Sequence, residues 1–263
     1  FSEDCINTAK ICQQLGVPIQ MNTTDKTVSI NGVGLHGLSK SDSELNVGNS
    51  GTSIRLLTGL LAAQSFSSQI TGDHTIIKRP MKRIITPLSQ MGASIKGVEK
   101  ADIFPPLIID PIKEITPITY TLPVASAQIK SAILLASLFS TKPTTVIEPQ
   151  KCRDHTELML KLYGASIETN ECKIICSGNT PLTNPQTEPH YIPGDFSSAS
   201  FFIVLGLIRP NTTLTLQKIN LNPTRTGLMT VLEKMGASIK LSNVITTGCE
   251  AYGDITVSTS ELH

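Results

Sequence analysis

Three short strings bring together small residues and hydroxyls in a pattern suited to binding anions: Ser50-Gly51-Thr52, Ser126-Ala127-Gln128 and Ser198-Ala199-Ser200. Each opens an apolar run, SIRLLTGLLAA, IKSAILLASLF or FFIVLGLI. A helix beginning there exposes unpaired amides and a partial positive charge, and small side chains let a phosphate or carboxylate approach the backbone. Serine at such a point also serves simply as an N-cap. Nearby cations add to the anion-binding reading. Arg55 and Lys130 fall in the first turns, Arg79 precedes Pro80, and Arg153 stands where another helix begins. A helix dipole contributes only ~0.3–1 kcal/mol toward an anion, whereas a hydrogen bond from a charged group contributes ~1.5–3 kcal/mol. The cations therefore dominate and the amides fix orientation, with the arginine fork matching carboxylate and phosphate. The chemistry expected is recognition of a small polyanion; the reaction stays open at this level.

The elements that position these groups repeat. LGVPIQ, MGASIK, YGASIE and MGASIK place glycines at 16, 92, 164 and 236, at intervals of 76, 72 and 72 residues. Each glycine follows an amphipathic stretch and precedes an alternating one, which predicts a helix ended by a left-handed glycine and followed by a strand. The small-residue helix starts lie 35 residues beyond the first three glycines. Strand-like segments TVSI, LIID, TVIEP, TLTLQ and ITVS fall between the helices. The unit is two helices and about four strands in roughly 72 residues, an α+β repeat larger than the common solenoid periods. Helices as apolar all round as those after Ser50, Ser126 and Ser198 are expected to be buried. The Pro-rich TPLTNPQTEP, residues 180–189, is the linker candidate. It divides the chain into a first domain of three units, 1–190, and an unfinished fourth unit beginning a second domain, 191–263.

Composition narrows the classes. A net charge of +1 argues against a nucleic-acid binder relying on bulk electrostatics. No apolar run reaches the roughly 18 to 20 residues of a membrane span, and no leader pattern opens the chain. With no Trp and 4% aromatics, the core rests on Leu, Ile, Val, Ala and Met. The six cysteines are scattered and read as free thiols of a cytoplasmic protein, although Cys172 and Cys176 share one strand face. His155 reads as a helix-start residue held by hydrogen bonds. Asp195 and Arg225 read as turn setters.

These same residues carry a resemblance. NVGNSGTSIRLL, TGDHTIIKRPMKRIITPL, LPVASAQIKSAILLA, CRDHTELMLKLYGA, PGDFSSASFF and NPTRTGLMTVLEKMGA follow one another in the order of the enolpyruvyl transferase family, in its 5-enolpyruvylshikimate-3-phosphate synthase branch. The resemblance covers essentially the whole chain. It implies an α/β fold of tandem βαβαββ units in two domains. It also implies transfer of the enolpyruvyl group of phosphoenolpyruvate to the 5-hydroxyl of shikimate 3-phosphate, with release of phosphate, in a cytoplasmic monomer without metal or cofactor. Carried over, Ser126, Ala127, Gln128 and Arg153 bind shikimate 3-phosphate, while Gly51, Arg79 and Gln128 meet phosphoenolpyruvate. Asn49 and Thr52 shape the turn, and Arg55 braces it. Cys152 departs from the family's usual serine and is left out of the site, since a thiol is the weaker donor. The family's Lys-Ser motif is expected upstream of Phe1, and its catalytic Asp, Lys-Glu pair and later arginines downstream of His263. No catalytic residue is therefore assigned within the chain. One alternative is the sister enzyme acting on UDP-N-acetylglucosamine, but the cysteine it needs is absent from residues 72–81. The other is a non-catalytic βαβαββ anion-binding module.

Overall fold

The computed structural model describes residues 1–98, 103–184, 189–246 and 249–263. The chain divides into two compact lobes: Phe1–Lys151 with Gly164–Thr183, and Cys152–Tyr163 with Asn184–His263. Part of the 180–189 linker lies outside the described residues. The excursion Cys152–Tyr163 was expected in the first domain, yet it joins the second lobe.

The first lobe opens with α1 (Glu3–Gln14) and the hairpin β1 (Ile19–Asn22) and β2 (Thr27–Ile30). Two four-stranded sheets follow. One contains β3 (Leu45–Asn46), β4 (Ser68–Thr71), β5 (Ile95–Val98) and β6 (Phe104–Ile109) in the order β3-β4-β6-β5. Helix α2 (Gly51–Leu61) joins its two parallel strands, and α3 (Lys82–Gln90) leads to the hairpin. The second repeats the plan with β7 (Thr119–Thr121), α4 (Ala127–Ser137) and β8 (Thr144–Ile147). Helix α5 (His155–Leu162) then leads to β9 (Ser166–Asn170) and β10 (Lys173–Ser177), in the order β7-β8-β10-β9. Each is a βαβαββ unit.

The repeated glycines do what their spacing predicts. Gly16, Gly92, Gly164 and Gly236 have φ of 90°, 95°, 87° and 92°, a conformation that closes a helix and costs a residue with a Cβ. The lobe's interior is aliphatic: Ile54 and Leu61 of α2, Leu88 of α3, Ile133 and Leu134 of α4, with Ile70, Leu107, Val146 and Ile174 from the sheets. Helices α2 and α4 touch at Gly59, where an added Cβ would strike the Ala132 backbone. Both helices are buried along most of their length, as their composition predicts.

The second lobe holds α6 (Phe196–Ile208), β11 (Thr213–Asn220), α7 (Gly227–Lys234), β12 (Ser238–Ile245) and β13 (Tyr252–Ser258) beside α5. Its sheet runs β11-β13-β12, the same order as the last three strands of each earlier sheet. A single parallel bridge, Gly194 to Ile219, stands where the leading strand would be. The fourth unit is thus corrected from unfinished to a βαβαββ unit whose first strand is reduced to one bridge.

Two further expectations are corrected here. Helix α6 starts at Phe196 with Asp195 as its N-cap, so Ser198 lies inside the first turn and does not open the helix. Nor is α6 buried all round. Phe196, Ile203 and Leu207 enter the core with Met229, Leu232, Ile255 and Val257, but Phe201 is 78% and Ile208 60% exposed. Among the described residues, α6 packs mainly on β11 and β13, which covers only one of its faces.

Candidate functional site

At the start of α2, two loops of the first lobe are tied together. The Val47 amide donates to the Thr71 carbonyl at 2.9 Å, and the Asp73 amide to the Gly48 carbonyl at 2.8 Å. Asn49 Nδ2 donates to Asp73 Oδ2 at 2.6 Å and to Thr75 Oγ1 at 2.9 Å. Asp73 is the keystone: it also accepts from the Thr75 amide at 2.8 Å, the Thr75 hydroxyl at 2.7 Å and the Ile76 amide at 3.0 Å. The Ile76 amide first, then the Thr75 hydroxyl, hold its carboxyl well below the ordinary carboxylate range. Sequence reasoning assigned Asp73 no role. The signal was present in Asp73-His74-Thr75, since Asp commonly bonds amides two or three residues on.

These ties deliver Arg79 to the start of α2. A Cβ built on Gly51 would lie 2.8 Å from Arg79 Nη1 and 2.9 Å from Arg55 Nη1. Arg55 Nη1 donates to the Gly51 carbonyl at 2.7 Å. Burial, then the charges of Arg79 and Arg83, lower Arg55 from its ordinary value. Among the described residues no carboxylate forms an ion pair with Arg55, Arg79 or Arg83. Like charges gathered beside a helix N-terminus without an acidic partner are stabilised by an incoming anion. Arg83 was not singled out from the sequence. It follows Arg79 by four residues, in the first turn of α3, which is the clue it offered.

The start of α4 joins this assembly through Gln128, whose Nε2 donates to Thr52 Oγ1 at 2.9 Å. Ser126 makes no side-chain cap on α4, so capping does not account for it. Ser50, by contrast, accepts from the Ser53 amide at 3.2 Å and does cap α2. Lys130 is corrected: it does not face the helix start. Its Nζ lies 3.0 Å from Glu148 Oε1, with side chains 1% and 2% exposed. The structure thus groups Asn49, Gly51, Thr52, Arg55, Arg79 and Gln128, with Ser126 and Ala127 at the same helix start as Gln128.

Arg153 belongs to the second lobe and is exposed. Arg153 and Arg225 each stand eleven residues before their repeat glycine. Arg225 shows what an arginine at that position does: its Nη2 donates to Asp195 Oδ1 at 3.0 Å and also bonds Ser197 Oγ, at the start of α6. Asp195 accepts from the Ser197 and Ser198 amides, both at 3.1 Å. Burial pushes Asp195 up, but those amides, the Ser198 hydroxyl and Arg225 together hold it below its ordinary value. Asp195 and Arg225 thus hold the start of α6 together. His155 is the first residue of α5, with Nδ1 2.5 Å from Glu250 Oε1.

The βαβαββ repeat and the arginine-lined helix start define an enolpyruvyl-transferase-like protein. The family model for EPSP synthase (3-phosphoshikimate 1-carboxyvinyltransferase) matches residues 1–260, and the chain belongs to that family. It is 47% identical over 262 residues to the 3-phosphoshikimate 1-carboxyvinyltransferase of Thermoanaerobacter sp. (strain X514), covering 100% of this chain and 60% of that one. The Enterococcus faecalis protein of the same name is 43% identical, with 99% and 59% covered. Among solved structures, EPSP synthase from Acinetobacter baumannii superposes with a TM-score of 0.89 at 41% identity, over 99% of this chain and 57% of that one. The enolpyruvyl transferase NikO of Streptomyces tendae, at 15% identity and TM-score 0.72, shares the fold. The chain spans about three-fifths of the length of the curated relatives it matches.

Proposed function

We propose that the protein containing this chain transfers the enolpyruvyl group of phosphoenolpyruvate to the 5-hydroxyl of shikimate 3-phosphate and releases phosphate. The observation that carries this reading is the convergence of Arg55 and Arg79 on Gly51, where no side chain intervenes. In the proposed reaction the hydroxyl adds to the substituted carbon of phosphoenolpyruvate as its methylene carbon takes a proton. Loss of a methyl proton and of phosphate then regenerates the double bond. Gly51, Arg79 and Gln128 bind phosphoenolpyruvate, with Asn49 and Thr52 shaping the turn and Arg55 bracing it. Ser126, Ala127 and Gln128 bind shikimate 3-phosphate, and Arg153 serves that same ligand. Membership of the family supports this assignment, as does the unneutralised charge at the start of α2. The protein is further proposed to act in the cytoplasm as a monomer, on these two small molecules alone.

Steady-state kinetics of the intact enzyme test the assignment. Arg79→Ala mainly raises KM for phosphoenolpyruvate, and Arg153→Ala mainly raises KM for shikimate 3-phosphate. Each loses a charge-assisted contact of ~1.5–3 kcal/mol. Interchangeable effects on both substrates refute it. The present chain, assayed alone for phosphate release, turns over no substrate, because general acid and base groups must stand within hydrogen-bond reach of the protons moved and no residue here is assigned that task. Turnover near that of the intact enzyme overturns this.

A further inference from the structure

A ring of side chains in the second lobe is used by no part of the proposed reaction. Arg153 is followed directly by Asp154 and His155, and both are gripped. Asp154 makes no side-chain cap on α5; its Oδ1 accepts instead from Asn222 Nδ2 at 2.8 Å. Asn222 is 2% exposed and is itself fixed. Its Oδ1 accepts from the Thr224 amide at 2.8 Å and the Thr224 hydroxyl at 2.6 Å, and its amide donates to Asn220 Oδ1 at 2.9 Å. Asn220 Nδ2 donates to Glu250, whose other oxygen meets His155. The ring runs Asp154, Asn222, Asn220, Glu250, His155 and closes through the backbone of α5. It is built by the loop after β11 and the loop before β13. The Glu250 side chain is 12% exposed, so water competes only weakly for its hydrogen bonds.

Helix α5 is two turns long, too short to hold its own start in place. This ring ties the two residues that follow Arg153 to the loop after β11 and to the loop before β13. We infer that Asn222 and Glu250 are positioning residues that hold the backbone before α5 so that Arg153 meets the phosphate-bearing substrate already placed. The inference rests on the reading that Arg153 binds shikimate 3-phosphate. Prior placement reduces the ordering cost of binding, so loss of the ring weakens that substrate while leaving the chemistry intact.

The experiment measures kcat and both KM values in the intact enzyme for Arg153→Ala, Asn222→Ala, Glu250→Ala and Glu250→Gln. Asn222→Ala and Glu250→Ala raise KM for shikimate 3-phosphate about five- to tenfold, the effect of one ordinary hydrogen bond. The phosphoenolpyruvate KM and kcat stay unchanged. Glu250→Gln, which retains one acceptor, restores most of the affinity. In the double variant Arg153→Ala/Glu250→Ala, the glutamate change adds nothing, because its route of action is gone. If Arg153→Ala raises that KM and the ring variants do not, the ring has no positioning role and the binding reading survives. If Arg153→Ala itself leaves that KM unchanged, both fall. Equal losses in kcat and in both KM values, the mark of a loosened fold, overturn the inference. Should Glu250→Ala fail to fold, Glu250→Asp, which withdraws the carboxylate by one methylene, takes its place with the same expectations.

Discussion

Helices α4 and α6 have nearly the same character in sequence and nearly opposite surroundings in the structure. Both follow a strand-like segment, both begin among small and hydroxyl residues, and both are apolar on every side. Helix α4 lies against α2 and its own sheet, and even its one lysine is buried. Helix α6 lies mainly on its own sheet and leaves Phe201, Phe202, Leu205 and Ile208 exposed. Their starts differ as well. At α4 no side chain caps the first amides, and Gln128 ties the turn to the arginine-lined start of α2. At α6 the carboxylate of Asp195 already sits on the amides, with Arg225 beside it. One repeat has thus yielded helix starts of two kinds, open to an outside anion or closed by an internal one.

The largest expected effect lies inside α4. Lys130 and Glu148 form a buried pair, and removing one partner leaves the other charged and dry. Such a loss costs ~3–5 kcal/mol. Urea unfolding of Lys130→Ala is expected to show it, with the double variant Lys130→Met/Glu148→Leu recovering most of the stability. If Lys130→Ala unfolds at the wild-type midpoint, the ion pair contributes nothing to α4.

Asp195→Ala has a smaller effect. Loss of an N-cap costs about 1 kcal/mol, and the exposure of this carboxylate (53% of its side chain) keeps it at the low end. The comparison sharpens if the variant gains affinity for inorganic phosphate, since Arg225 and the freed amides then resemble the start of α2. No gain in a phosphate titration means that small residues and amides alone do not make an anion site here.

How much of this could be read in advance follows from the range of the forces involved. The glycine period and the helices it ends were legible, because a left-handed C-cap is a local demand. The small-residue start at Gly51 was legible for the same reason. The start of α6 was misplaced because the 72-residue phase points to Ser198, while Asp195 offers two acceptor oxygens and nucleates the helix earlier. Lys130 was misread because its spacing from Gln128 says nothing of Glu148, eighteen residues on and across a strand. The allegiance of α5 to the second lobe was hidden in Asn222 and Glu250, which are distant in the chain and ordinary in type.

The smallest effect concerns Asp73, the counterpart of Asp195 in the first lobe. Both carboxylates accept amides and both are held low, but Asp195 occupies a helix start whereas Asp73 braces the loop that brings Arg79 to one. For a depressed carboxyl the sign is fixed: as pH falls, the unfolded chain takes up the proton first. The stability Asp73 contributes is therefore complete above its ordinary value of 3.8 and declines as pH drops below it toward the folded-state value. Asp73→Asn keeps the shape and removes the charge. The difference in Tm between wild type and Asp73→Asn is expected to be constant from about pH 7 to pH 5 and to shrink steadily below about pH 4. Because the carboxylate is partly open to water, with 28% of its side chain accessible, solvent screening keeps the difference small, and scanning calorimetry at low salt is the measurement of choice. A difference that widens on acidification reverses the sign and removes Asp73 as the brace. A constant difference down to pH 3 means that its hydrogen bonds do not depend on charge. Asn49, which donates to the same carboxylate, offers the control: Asn49→Ala removes one donor, so the decline becomes smaller and ends closer to the ordinary value if Asp73 is held by the sum of its partners.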